Sequence, residues 1–241
     1  MKIAGSVALV TGANRGLGLS FTRALLAAGA VKVYAGARVP DSIKLEGVVP
    51  LKLDVTSDGD VAAAARAAPD VTMVINNAGI AQFGGFLGEH AVQQSRDHLE
   101  VNYFGSLRVA RAFAPVLAAN GGGALINVLS VASWINGPRL ATYGASKSAA
   151  WALTNGLRIE LAAQGTQVLG VHAGFIDTDM VRDVPDPKSR PEDIVTATLE
   201  ALERGDREAL TDEVSRLVHR GLSAEPAVYL QALARRPRPP E

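Results

Sequence analysis

The sequence predicts an α/β fold, a doubly wound parallel sheet in a single domain, and three observations carry that prediction. Short β-branched runs alternate with Ala- and Leu-rich segments of helical period. A glycine-rich turn leads directly from the first such run into the first helical segment. No linker and no internal repeat interrupts the alternation. Strands separated by helices lie parallel, because each must be reached by a crossover, and the helices then cover both faces of the sheet.

Taken in order, Val7-Ala8-Leu9-Val10 reads as the first strand and Leu17 to Ala28 as a helix closed by Gly29. The second strand is expected over Val31 to Ala37 and the third over Val49 to Leu53. A helix from Asp58 to Ala68 leads to a fourth strand, Val71 to Asn76. Ala91 to Ala119 reads as one long helix, broken near Asn102 and containing Pro115. The turn Gly121-Gly122-Gly123 precedes the fifth strand, Ala124 to Leu129. A helix from Tyr143 to Ala163, a strand from Gln167 to His172, a helix from Pro191 to Arg204 and a last short strand, Ala209-Leu210-Thr211, complete the pattern. One domain is expected over residues 1–234, and residues 235–241, Arg-Arg-Pro-Arg-Pro-Pro-Glu, are expected as a mobile tail.

Composition narrows the function classes. A chain of 241 residues that is 48% hydrophobic buries a full core. Its formal charge is zero without blocks of like charge, which argues against nucleic acid or an anionic membrane as partner. No apolar stretch spans a bilayer, and Met1 to Ser6 enters a strand pattern too soon for a signal peptide. The absence of cysteine excludes disulfides and thiolate metal sites, and a cytoplasmic protein is the economical reading. His90, His98, His172 and His219 show no metal-ligand spacing, so no metal is expected.

The turn after the first strand, Thr11-Gly12-Ala13-Asn14-Arg15-Gly16-Leu17-Gly18, has the spacing G-x-x-x-G-x-G. Glycines there let the backbone approach a pyrophosphate, whose charge the helix N-terminus stabilises. The second strand ends Gly36-Ala37-Arg38. An NAD site would want an acid at that point for the ribose 2′-hydroxyl, whereas Arg38 with Arg15 suits a 2′-phosphate, which favours NADP over NAD.

A second stretch carries chemistry. In a helix, Tyr143 and Lys147 of Tyr143-Gly144-Ala145-Ser146-Lys147 lie on one face, one turn apart. An ammonium beside a phenol favours the phenolate and is expected to lower the tyrosine pKa toward working pH, making Tyr143 a general acid and base. Ser130, at the end of the fifth strand, can stand next to that phenol.

Together, Thr11-Gly12-x-x-x-Gly16-x-Gly18, Asn76-Asn77-Ala78-Gly79, Asn102, Ser130 and Tyr143-x-x-x-Lys147 resemble the short-chain dehydrogenase/reductase family, from about Val7 to Thr178. The resemblance implies a Rossmann-type fold and a catalytic tetrad of Asn102, Ser130, Tyr143 and Lys147. It implies cofactor contacts at Gly12, Asn14, Arg15, Gly16, Leu17 and Gly18 of the glycine loop, at Arg38, and at Tyr143 and Lys147. By the same resemblance Asp54 and Val55 hold the adenine, Asn76, Ala78 and Gly79 lie beside the cofactor ribose and strand core, and Gly174, Ile176 and Thr178 belong to the nicotinamide loop. The chain departs from the family in having His172-Ala173-Gly174 where Pro-Gly is usual, which predicts a less rigid loop. The segment Met180 to Lys188 is also short for a substrate lid, which predicts a shallow or open pocket.

The implied reaction is reversible hydride transfer between a nicotinamide and a carbonyl/alcohol pair. Tyr143 donates the proton, Ser130 orients the oxygen, Lys147 holds the ribose and Asn102 holds a water linking Lys147 to solvent. Ser133, Trp134, Ile135, Pro138, Leu140, Phe175, Phe83 and Phe86 are candidates for an apolar substrate pocket suited to an uncharged ketone or aldehyde. The resemblance also implies a homo-oligomer formed through the helices at 91–119 and 143–163. A non-catalytic NADP-sensing protein remains the alternative on this fold. A methyltransferase using S-adenosylmethionine would instead want an acid where Arg38 stands.

Overall fold

The structure is a computed structural model that describes residues 1–231, so the expected tail at 235–241 lies outside the described residues. Seven strands form one sheet in the order β3-β2-β1-β4-β5-β6-β7, every neighbouring pair parallel. They are β1 (Val7–Thr11), β2 (Lys32–Ala37), β3 (Val49–Lys52), β4 (Met73–Asn76), β5 (Ala124–Val128), β6 (Gln167–His172) and β7 (Glu208–Leu210). Helices α1 (Gly16–Ala27) and α6 (Pro191–Arg204) cover one face, and α2 (Asp58–Ala67), α4 (Ser106–Ala119) and α5 (Ala141–Glu160) cover the other. The doubly wound, Rossmann-type fold expected from the sequence is the one observed.

Strand alternation explains the two cores. Ala8 and Val10 of β1 point toward Phe21 and Leu25 of α1 and Ile194 and Leu202 of α6. Leu9, between them, joins Val74 and Leu125 against Val61, Phe113, Leu117 and Leu157. Around β1, β4 and β5 both faces are covered, so these central strands read as apolar runs rather than as polar–apolar alternation.

The long helix expected over 91–119 is α3 (Ala91–His98), a π-helical turn (Leu99–Gly105) and α4 in succession. The break near Asn102 is therefore an extra residue in the turn, which rotates Asn102 inward; Pro115 sits within α4 without ending it. Two helices had no sequence expectation: α7 (Glu213–Gly221) and α8 (Val228–Gln231). Asp212 caps α7: its carboxylate accepts from Ser215 N at 2.7 Å while Ser215 Oγ donates to Asp212 O at 2.8 Å. None of the described helices is long and apolar enough to cross a membrane.

The first helix is fixed to the first strand at Gly18. A β-carbon there would stand 2.2 Å from the Gly12 carbonyl oxygen and 2.6 Å from Asn77 Nδ2. That amide in turn donates to Thr11 O at 2.9 Å and to Gly12 O at 3.3 Å. Gly18→Ala therefore destabilises the fold by about 1–3 kcal/mol through overpacking, although alanine is the better helix former. Urea denaturation measures it, and an unchanged or raised stability would show that α1 shifts without cost.

Candidate active site

The sheet order reverses between β1 and β4, and at that point a cleft of about 1030 Å³ opens beyond the carboxyl ends of the strands. Gly12, Asn14, Arg15, Gly16, Leu17 and Gly18 form one wall. Gly12 and Gly16 have φ of 66° and 53°, a left-handed backbone that glycine adopts freely, and this turn delivers the chain into α1. The free N–H groups of that helix start make the wall suited to an anion.

Farther along lie Arg38, Asp54 and Val55, with Ser42 beside them. Burial alone would raise the Asp54 carboxyl. Bonds from Thr56 N (2.9 Å) and Thr56 Oγ1 (2.7 Å), with the charges of Arg38 and Lys52, outweigh it and hold the pKa below the usual carboxylate range. Arg15 reaches 3.9 Å from Asp179 across the mouth, a pair exposed on both sides and so worth little by itself.

Ala78 and Gly79 line the cleft, but Asn76 does not. Asn76 is buried and donates to Asn127 Oδ1 at 2.9 Å, and Asn127 donates to Thr154 Oγ1 at 2.9 Å. Alternation turns Asn76 into the core and leaves its neighbour Asn77 on the cleft. Asn102 is also off the cleft surface and 1% exposed. Its amide oxygen accepts from Ile80 N at 2.9 Å, and its amide nitrogen donates to Ile80 O at 3.0 Å and Ser146 Oγ at 2.9 Å. Asn102 thus braces the segment after Gly79 against α5.

Ser130, Tyr143 and Lys147 share the opposite wall. Ser130 follows β5 and caps a 3₁₀ turn (Val131–Ser133): its hydroxyl accepts from Ala132 N at 3.1 Å, and Ser133 Oγ accepts from Ser130 N at 3.3 Å. The same hydroxyl hydrogen-bonds the Tyr143 phenol. Lys147 Nζ donates to Val128 O at 2.8 Å and lies 5.7 Å from the centre of the Tyr143 ring.

The electrostatics differ from the expectation. Tyr143 is pushed up to about 12, because burial of its oxygen outweighs the Ser130 bond. Lys147 is pushed down to about 8 by burial. The ammonium does not lower the phenol in this state: it is drawn to Val128 O and is itself disfavoured by desolvation. His98, for which the sequence suggested no role, is fully buried and meets Tyr143 edge-on at 6.0 Å. Its Nε2 accepts from Gln82 N at 2.9 Å, and burial, assisted by the Lys147 charge and opposed by Asp97, lowers its pKa.

Of the candidate pocket residues, Phe83, Ile135, Pro138, Leu140 and Phe175 line the cleft. Phe86 stands exposed outside it, Ser133 serves the cap of the turn, and Trp134 stacks on His172 with ring centres 3.8 Å apart. His172 is buried, its Nδ1 3.2 Å from Ser130 O. Its Nε2 is 3.8 Å from Glu208, which Trp151 Nε1 also reaches at 3.0 Å. Burial would raise Glu208, but His172, Trp151 and Arg158 hold it at about 2. The short lid is not wide open: Met180, Val181, Asp186 and Pro187 line the cleft, and Arg139 pairs with Asp186 across the mouth at 3.0 Å.

The loop carrying Gly174, Ile176 and Thr178 also lines the cleft and is tied down without the proline. Ser189 N donates to Phe175 O at 2.8 Å and Asp177 N donates to Ser189 O at 2.9 Å.

Over residues 6–189 the sequence matches the family described as short chain dehydrogenase. The crystal structure of a short chain dehydrogenase from Burkholderia cenocepacia in complex with NADP is similar at a TM-score of 0.93 and 44% identity, covering 98% of this chain and 100% of that one. A gluconate 5-dehydrogenase from the same organism, in complex with NADP and tartrate, is similar at 0.78 and 25% identity over 86% of this chain and 93% of that one. Among curated relatives, a 2-(R)-hydroxypropyl-CoM dehydrogenase of Xanthobacter autotrophicus is 30% identical over 95% of each chain. A short chain dehydrogenase of Aspergillus terreus is 32% identical over 75% of this chain, which spans 43% of that longer relative.

Lys147 gives a pH signature in the absence of any ligand. Its folded pKa of about 8 lies below the ordinary 10.5. Between those values the unfolded chain binds more protons than the folded one, so this group makes stability rise with pH. Lys147→Met removes the buried charge and is expected to be more stable than wild type at pH 7 by on the order of 2–3 kcal/mol, the difference closing as pH rises from 8 to 10.5. Denaturation at a series of pH values measures this; a variant no more stable at pH 7 would show that the bond to Val128 outweighs desolvation.

Proposed function

The chain belongs to the short-chain dehydrogenase/reductase family, and from that premise we propose that it is an NADPH-dependent reductase of uncharged ketones or aldehydes. The observation that carries this reading is the convergence of Ser130, Tyr143 and Lys147 on one wall of the cleft whose other wall is the glycine loop. The residues fit the cofactor: the Gly12 and Gly16 turn leaves backbone room for a pyrophosphate, and Arg15 and Arg38 line the end where a 2′-phosphate would lie. Asp54, Val55, Ala78 and Gly79 would flank the adenosine side, and Gly174, Ile176, Thr178 and Lys147 the nicotinamide side. When bound, NADPH supplies the hydride to the carbonyl carbon.

Tyr143 supplies the proton to the carbonyl oxygen, and a phenol neutral to about pH 12 carries that proton throughout the physiological range. Ser130 orients the same oxygen, since its hydroxyl already reaches the phenol and its backbone is held by the capped turn. Lys147, one turn away, stabilises the phenolate left after donation; a charge appearing in a buried site is worth more there than in water. Asn102 holds the backbone at Ile80 and the hydroxyl of Ser146, which keeps this wall in register. The apolar lining from Phe83, Ile135, Leu140 and Phe175 supports an uncharged substrate body. Exposed Phe104 and Ile159, on the outer sides of the π-helical turn and α5, support a homo-oligomer formed through those helices.

Two measurements test the reading. Tyr143→Phe is expected to lower kcat by about 10²–10⁴-fold while NADPH, followed by its fluorescence, still binds; near-normal turnover rejects the assignment. Replacing Arg15 and Arg38 together with leucine is expected to raise KM for NADPH by about tenfold or more, since each charge-assisted bond contributes roughly 1.5–3 kcal/mol, and to leave KM for NADH nearly unchanged. A wild type that prefers NADH would defeat the choice of NADP.

A further inference from the structure

The loop after β6 carries Gly174, Ile176 and Thr178 to the cleft, yet it begins with Ala173 and has no proline ring to set its direction. A carboxylate from another element holds it. Asp212 Oδ2 accepts from Gly174 N at 2.7 Å and from Ser189 Oγ at 3.3 Å, while Oδ1 accepts from Ser215 N at 2.7 Å. Asp212 is 9% exposed, and the partners of its carboxylate oxygens are two backbone N–H groups and one hydroxyl. The approach is close: a β-carbon at 174 would stand 3.3 Å from Asp212 Oδ2 and 3.4 Å from Val214 Cβ, so a side chain there would press on the carboxylate by a few tenths of an ångström. One side chain therefore joins the start of the loop, the bridge residue Ser189 that bonds Phe175 and Asp177, and the first turn of α7, whose Val214 also lines the cleft.

We propose that Asp212 is a positioning residue for the cofactor loop: by fixing the Gly174 peptide it takes the place of the absent proline and sets Ile176 and Thr178 against the cleft. The proposal rests on the reading of that cleft as an NADP(H) site. Two functions of the carboxylate can be separated. As cap of α7 it needs only a short acceptor, which serine also provides; as anchor of Gly174 it needs the full reach of an aspartate. The loop side also admits a substitute, because the bonds of Ala173 run through its carbonyl, to Val131 N at 3.0 Å and Ser130 Oγ at 3.5 Å.

The experiment measures NADPH binding by fluorescence titration without substrate, alongside ligand-free Tm, for wild type, Asp212→Ser, Asp212→Asn and the double variant Asp212→Ser with Ala173→Pro. Asp212→Ser is expected to weaken NADPH binding about tenfold, the loss of one charge-assisted bond, with Tm nearly preserved. Asp212→Asn, which keeps an acceptor of the same reach, stays close to wild type, and Ala173→Pro recovers affinity in the serine background. Binding by Asp212→Ser within twofold of wild type overturns the proposal. So does weakened binding that follows a matching fall in Tm and is not recovered by Ala173→Pro, since Asp212 would then serve α7 alone. A wild type that does not bind NADPH overturns the underlying reading of the cleft instead.

Discussion

Helix α5 is held to strand β5 by hydrogen bonds made out of water. Lys147 Nζ reaches Val128 O, and Asn127 reaches Thr154 Oγ1. The strand in turn holds β4 through Asn76 and Asn127. Everything reactive in the cleft depends on this register, because Tyr143 and Lys147 ride on the helix while Ser130 is the second residue beyond the strand. In a buried setting an unmade bond costs more than a made one contributes, so such a network selects one register over its neighbours.

The same burial decides the resting charges. A phenol and an amine one helical turn apart would share a proton easily in water. Enclosed in the wall, each is driven toward its neutral form, the phenol upward and the amine downward. At neutral pH the phenol is uncharged while Lys147, at about 8, still holds most of its charge against Val128 O, and His98, desolvated and edge-on to the ring, adds none. Pairing of ammonium with phenolate becomes favourable only once the phenol has lost its proton.

The strands were legible because burial on both faces demands unbroken apolar runs, and Leu9 and Val10 both satisfy that demand. The glycine turn was legible because Gly12 and Gly18 answer to backbone geometry that other residues resist. What escaped has physical reasons. α7 is capped by Asp212 with serine rather than Glu or Gln at the third position, so its capping box keeps the usual spacing without the usual residue. Asn76 and Asn77 are equivalent by type, and only strand alternation tells which one faces the cleft. The loop predicted to be loose for want of a proline is anchored by a residue 38 positions away from Gly174, a relation that no local pattern reveals. The pKa of Tyr143 is set by how deeply its oxygen is buried, which spacing along a helix does not specify.

Both tryptophans of the chain, Trp134 and Trp151, sit within one aromatic group beside the Ser130 turn, their rings edge-to-face at 6.3 Å. Trp134 lies flat on His172, and Trp151 is hydrogen-bonded to Glu208. Intrinsic ultraviolet emission of this protein therefore originates almost wholly from the neighbourhood of the Ser130 hydroxyl. The molecule carries its own optical gauge of that turn, readable without a label.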